Sequence, residues 1–408
     1  MPGLPAFCPR PRDLRRGAVL TLVFLVSVAT AGGTGCWDRE EAAAAAAPTA
    51  AAGAATPGPA AAAAPAGPAP GPSRPAGTAD REAVARAAAE AVAEGKSGKK
   101  AAEEVVSRSG DRWGMVYDQG EYAAFAEDLD GYWTGVGIWA GRAPDGRIAV
   151  EKVQAGSPAD RAGVRTGDRL LSVDGQAVTG LAVDDVVALL RGRAGTPVVL
   201  HLDRGGAALT ETVRREQLRT EPVTVRRLPG GITVIKVASF SRGSGERVQA
   251  AVRAAPPGTG VMLDLRGNKG GLVTEAVAAA SAFLDGGLVA TYDVRGSQRA
   301  LYAAPGGDTA RPLVALVDGG TMSAAELVTG ALQDRGRAVA VGTRTFGKGS
   351  VQMPTELPDG SVAELTVGTY RTPGGRSLDG GGIVPDLAAG DGVEERAATV
   401  LGGLGVGP

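Results

Sequence analysis

Five stretches with different hydrophobic patterning follow one another along the chain. Residues 18–31 (AVLTLVFLVSVATA) are an unbroken apolar run behind Arg10, Arg12, Arg15 and Arg16. Residues 42–77 are almost wholly Ala, Pro, Gly and Thr, which cannot build a core, and predict an extended tether over 37–77. Over 78–130 the period turns helical, as in DREAVARAAAEAVAEG, with Thr78 or Asp80 as cap and Gly95 as stop. From 131 to about 222, short β-like runs (TGVGIWA, RIAVEKV, RLLSVDG, TPVVLHLDR) alternate with turns at Pro144-Asp145-Gly146 and Asp174-Gly175. Two short helical patterns, SPADRAG and VDDVVALLRG, interrupt them. Over 223–408 the buried-type strands VMLDL and PLVALVDGG alternate with the helical TEAVAAASAFL and TMSAAELVTGALQDRG. That alternation predicts an α/β fold whose site lies on loops at strand ends.

The basic residues before 18–31 and the small GGTG after it fit an export signal over residues 1–36. The run is shorter than the roughly 18–20 residues of a membrane-spanning helix, though the flanking glycines leave a retained anchor open. Cys36 after Gly-Thr-Gly resembles a lipoprotein site, with Gly33 where Leu is usual. Cleavage, anchoring and lipidation all imply an extracytoplasmic protein.

Composition narrows the chemistry. The 408 residues carry 43 Lys+Arg against 44 Asp+Glu, and only 4% are aromatic. Neither a broad phosphate-binding face nor base-stacking platforms are expected, so nucleic acid is not the partner. The single histidine, His201, excludes a multi-histidine metal site and sits in a strand pattern. Both cysteines, Cys8 and Cys36, precede the folded part, which excludes thiol chemistry there.

Ser323 stands where the strand PLVALVDGG stops and a helix begins. There a hydroxyl meets the unpaired N–H groups and positive dipole end of the helix, a ready place for an oxyanion. The same serine, with Glu326 three residues on, also reads as a helix cap. A serine nucleophile needs a base, and with histidine nearly absent the available partner is lysine. Lys348, in FGKGSVQ, qualifies if an apolar pocket lowers its pKa from about 10.4 towards 7–8. Spacing alone does not select this pair among the other serines and lysines.

Two resemblances extend these readings. AGSPADRAGVRTGDRLLSVDG and LAVDDVVALLRGRAGTPVVLHL resemble a PDZ domain over 131–222. It implies capture of a peptide C-terminus as an added strand, with Gly135-Val136-Gly137 as the carboxylate-binding loop. LDLRGNKGG, then GGTMSAAELVTGALQDRGRAVAVGTRTFGKGSVQ, then TYRTPGGRSLDGGGIVPD resemble the carboxy-terminal processing peptidases, the match running from about 131 to 387. That resemblance implies Ser323 as nucleophile, Lys348 as base, Gln352 holding the lysine, and an oxyanion hole from the amides of Ala324 and of Gly270 or Gly271. Asp334 matches an aspartate sometimes given a charge-relay role, and a structural role is the stronger expectation. Lys269 departs from the family, where proline is common. Also implied are a crotonase-like (ClpP-like) α/β peptidase core, a mixed α+β PDZ domain and an N-terminal helical arm able to pair two copies. The expected activity is serine endopeptidase cleavage of proteins recognised by their C-termini, through an acyl-enzyme, with no metal or cofactor. The alternative is an anchored PDZ peptide-binding protein with an inactive core. A chaperone-type protease with a histidine triad is disfavoured by the lone His201.

Overall fold

The computed structural model describes residues 77–294 and 297–405; the segment expected to be an export signal and nearly all of the expected tether lie outside them. The chain enters through α1 (Arg81–Ala93) and α2 (Gly98–Ser109), which pack on each other. Asp80 caps α1 by accepting from Glu82 N–H, and Ser97 caps α2 through Lys100 N–H. After β1 (Met115–Tyr117) comes α3 (Gln119–Leu129), started by a reciprocal Asp118/Glu121 capping box.

The next module is a small sheet with two helices. Its elements are β2 (Tyr132–Gly135), β3 (Ile138–Arg142), β4 (Ile148–Val153), α4 (Pro158–Arg161), β5 (Arg169–Val173), β6 (Gln176–Ala177), α5 (Val183–Leu190), β7 (Pro197–Arg204), β8 (Ala207–Arg214) and β9 (Glu216–Arg219). The sheet runs β3-β4-β5-β7-β8, with β6 paired to β5, while β2 and β9 form a separate ribbon where the chain enters and leaves. Alternation in β7 sends Val198, Leu200 and Leu202 inward against Val186 and Leu190 of α5. His201 falls on the opposite face, where Nδ1 lies 3.0 Å from Thr210 Oγ1.

The remaining elements are β10 (Val223–Arg227), β11 (Thr233–Val237), α6 (Ser244–Ala254), β12 (Val261–Asp264), α7 (Val273–Ser281), β13 (Leu288–Val294), β14 (Ser297–Tyr302), β15 (Leu313–Val317), α8 (Ala324–Asp334), β16 (Val339–Gly342), β17 (Ser350–Glu356), β18 (Val362–Arg371), β19 (Leu387–Ala388) and α9 (Val393–Gly403). They make a sheet of order β10-β11-β12-β15-β16-β19, parallel except for β10. Both faces are covered, so the strands are apolar throughout rather than alternating. Ile235, Val237, Leu263 and Leu313 face the core built with α6, α7 and α8, whereas Val234, Met262, Val314 and Leu316 face α9. A second, antiparallel sheet runs β1-β18-β13-β14, with β17 on β18. On β18, Ala363 and Leu365 turn towards α1 and α2, while Val367 and Tyr370 join the main core. The N-terminal helices therefore back the antiparallel sheet of the α/β core.

Candidate active site

The site begins where β15 ends. All five residues of β15 are buried, and the chain then turns through Asp318-Gly319-Gly320-Thr321. Asp318 Oδ1 accepts from Gly320 N–H and Gly267 N–H, and the Thr321 hydroxyl donates to Leu265 O at 2.9 Å. Met322 N–H donates to Asn268 O, which ties this turn to the glycine-rich loop after β12. Ser323 then sits at φ 59°, ψ −117°, a conformation L-residues rarely adopt and one that surrounding structure must hold. It is buried, and its Oγ has no hydrogen-bond partner. Only half of the expected cap forms: Ser323 N–H donates to Glu326 Oε2 at 2.8 Å, but the strained backbone leaves Oγ unengaged.

Glu326 joins the serine turn to the lysine loop. Its buried carboxylate also accepts from Lys348 N–H and Gly347 N–H, each at 2.8 Å, and from the Thr345 hydroxyl at 2.5 Å. Burial raises its pKa while these donors pull the other way. Lys348 itself has no exposed surface. Desolvation brings its ammonium down from 10.5 to about 8, against the opposing pull of Glu364, Asp111 and Glu326. Its Nζ lies 5.4 Å from the centroid of the Trp113 ring, which leans on Phe346 and is fixed through Nε1–H to Asp379. Gln352 is fully buried nearby on β17; its amide N–H donates to Ser350 Oγ at 2.9 Å and its Oε1 has no partner.

The glycine-rich loop closes the other side. A Cβ built on Gly270 would come within 3.0 Å of Ser323 Cβ and 3.1 Å of Ala324 N, so only glycine permits this approach at φ +98°. Gly270 N–H donates to Asn268 Oδ1 at 2.8 Å and is thus committed within the loop. Asn268 Nδ2 donates to Val237 O at 2.9 Å, so this buried amide stitches the turn around Lys269. Gly271 packs against the Phe240 carbonyl, with no room for a side chain.

Serine, lysine, glutamine and the glycine loop therefore converge on one buried region. Asp334 does not: it ends α8, ion-paired with Arg376 and accepting from Gly374 N–H at 2.8 Å. Ten further residues of helix separate Ser323 from it, roughly 16 Å of rise, so a relay from Asp334 to Ser323 has no path. Gly135-Val136-Gly137 lies in the small module, running from the last residue of β2 to the start of β3. The Val136 and Gly137 carbonyls accept from Ala159 and Gln154 N–H, and a Cβ on Gly137 would lie 2.2 Å from Ser157 Cβ. Three contributors escaped the sequence reading: Trp113, Asn268 and Glu364. Glu364 is fully buried on β18 with both carboxylate oxygens unpartnered. Among the described residues no group of three or more His, Cys, Asp or Glu is placed to hold a metal ion.

Fold and site together define an α/β protein with an added small-sheet module, in which a strained buried serine and a buried lysine are both tied through their backbone N–H groups to the Glu326 carboxylate. Residues 231–389 match peptidase family S41, and residues 150–204 match a PDZ domain. The chain is 33% identical over 284 residues to the carboxy-terminal processing protease CtpA of Bacillus subtilis, covering 68% of this chain and 61% of that protein. It is 34% identical over 303 residues to the chloroplastic carboxyl-terminal-processing peptidase 3 of Arabidopsis thaliana, covering 69% and 58%. A solved photosystem II D1 C-terminal processing protease shares 31% identity over 75% of this chain and 86% of that one, with a TM-score of 0.49. The chain belongs to peptidase family S41. Its matches span about three fifths of the length of the curated relatives.

Proposed function

We propose that the protein is a serine endopeptidase that takes protein C-termini through its PDZ domain and cleaves with a Ser323–Lys348 dyad. The observation that carries this reading is the pairing of a strained, unpartnered Ser323 hydroxyl with a fully buried Lys348, both held by the one carboxylate of Glu326. Serine at such a turn presents Oγ away from the backbone, and a dry lysine is neutral often enough to act as base. A substrate chain enters as an added strand. Lys348 takes the Oγ proton as Oγ attacks the scissile carbonyl, and the ammonium then protonates the leaving amine. Water hydrolyses the acyl-enzyme by the same route in reverse. The oxyanion falls to the Ala324 and Gly271 amides, since Gly270 N–H is committed to Asn268. Ser323 Oγ has no partner in the resting protein, so the serine–lysine hydrogen bond forms as substrate engages. Gln352 Oε1, also unpartnered, accepts from Lys348 at that stage.

The parallel sheet with a serine at a strand-to-helix turn supports a crotonase-like (ClpP-like) core. Export, retention at a membrane by the N-terminal segment, and pairing of two copies through the helical arm belong to the same proposal and rest on the sequence. Among the described residues no helix is long and apolar enough to cross a membrane. The test is cleavage of an unstructured protein, with and without an apolar C-terminal tail, by the full chain and its Ser323→Ala and Lys348→Ala variants. Fragments from the wild type alone, appearing faster with the tail, are expected. Cleavage by either variant at the wild-type rate refutes the dyad; tail binding without cleavage by any of the three makes the protein a binding module.

A further inference from the structure

Glu364 is a buried carboxyl that the dyad does not use. It has no exposed surface, and neither of its oxygens has a hydrogen-bond partner, a costly arrangement for a group able to ionise. Strand parity shows where it points. Ala363 and Leu365 turn towards α1 and α2, so Glu364 and Thr366 turn the other way. In the register Gln352 lies opposite Thr366, and both Pro354 and Met115 lie opposite Glu364. Gln352, Thr366, Glu364 and Tyr117 thus share one face. Asp111 seals that face by accepting from both the amide and the hydroxyl of Thr366, at 2.9 and 2.8 Å, and two residues later Trp113 covers Lys348. Gln352 Oε1 and the Tyr117 hydroxyl are also buried without partners. Three side chains with unanswered polar atoms therefore line the chamber that encloses the lysine head.

We propose that Glu364 is a positioning residue for the base of the dyad, its carboxyl sharing the chamber with Lys348 and setting where the lysine proton resides. This rests on Lys348 being the base. When the chamber loses one proton, two arrangements remain: ammonium with carboxylate, or amine with carboxylic acid. Only the second can accept the Ser323 proton, and an ionised Glu364 favours the first. Burial pushes the Glu364 carboxyl well above the usual carboxylate range, with Lys348 opposing. The other ionisable groups at the chamber are Asp111 before β1, Tyr117 on β1 and Glu326 on α8; Tyr122 and Glu121 on α3 and Glu356 on β17 act from farther off, the two glutamates from exposed positions. Asp111 and Glu326 are bound up in backbone hydrogen bonds, so Glu364 is the carboxyl free to trade a proton.

The experiment is the rate at which a fluorophosphonate labels Ser323 in the full chain from pH 6 to 10. In this reaction the Oγ–P bond forms, fluoride leaves and the hydroxyl proton passes to the base. Glu364→Gln and the apolar, similarly sized Glu364→Met should both move the acidic limb about one pH unit lower, because an anionic neighbour no longer holds the proton on Lys348. Glu364→Asp should keep the limb near the wild-type position. A limb that stays put or moves to higher pH in a folded Gln or Met variant overturns the proposal. Lys348→Ala is the control: wild-type labelling there overturns the dyad itself, whereas loss of labelling with an unmoved Glu364→Gln limb overturns only the role of Glu364.

Discussion

Replacing Lys348 by Met should abolish activity and make the protein more stable at neutral pH. Lys348 is enclosed without exposed surface, and burial lowers its pKa from 10.5 to about 8. The sign follows from proton counting. Between pH 8 and 10.5 the unfolded chain keeps the lysine proton that the folded chain has released, so stability rises with pH across that window. Below pH 8 both states are protonated and the full penalty of the buried ammonium is present. The depression corresponds to roughly 3 kcal/mol, an upper bound because the cation–π contact with Trp113 is lost with the charge. Methionine keeps most of the volume and pays no desolvation. At about 2–4 °C per kcal/mol, the variant should melt several degrees above wild type at pH 7. The difference should shrink steadily between pH 8 and 10.5. Thermal melts of both proteins across that range read it directly. A Met variant that melts lower at pH 7, or a difference that does not change with pH, refutes the claim that burial holds the Lys348 ammonium at a lowered pKa.

Two further outcomes separate working residues from supporting ones. Asp334→Asn should leave cleavage within about twofold of wild type and lower stability by roughly 1 kcal/mol, through the weakened contacts to Arg376 and Gly374, as read by activity and melting; a large loss of turnover would return Asp334 to the mechanism. Gly137→Ala should weaken tail-peptide binding at least tenfold in a titration while Ser323 labelling continues, since φ +87° and the contact with Ser157 both reject a Cβ; unchanged peptide affinity would remove this loop from the binding site.

Several features were legible in the sequence because their causes are local. A continuous apolar run ending in glycines predicts a strand buried on both faces, and a small-residue turn before a helical period places Ser323 at its start. The glycines at 270 and 137 announce backbone that no other residue can follow. Alternation in β7 assigned His201 to an outer face and removed it from the chemistry. Lys348 was nominated by elimination and resemblance.

The acidity of that lysine, and the company it keeps, were decided only by the tertiary fold. The chamber is closed by Asp111 binding Thr366 across 255 residues of chain, which brings Trp113 over the ammonium. Glu364 reads along β18 as an ordinary polar position between apolar ones, a pattern that normally marks a solvent-facing side. What turns it into a buried carboxyl beside a buried base is the Asp111–Trp113 segment laid over that face, with β1 closing the strand edge beside it. Periodicity specifies which way a side chain points, because strand and helix geometry are properties of neighbouring residues. Desolvation and charge coupling depend on what stands opposite, and distant parts of the chain supply that only when they fold together.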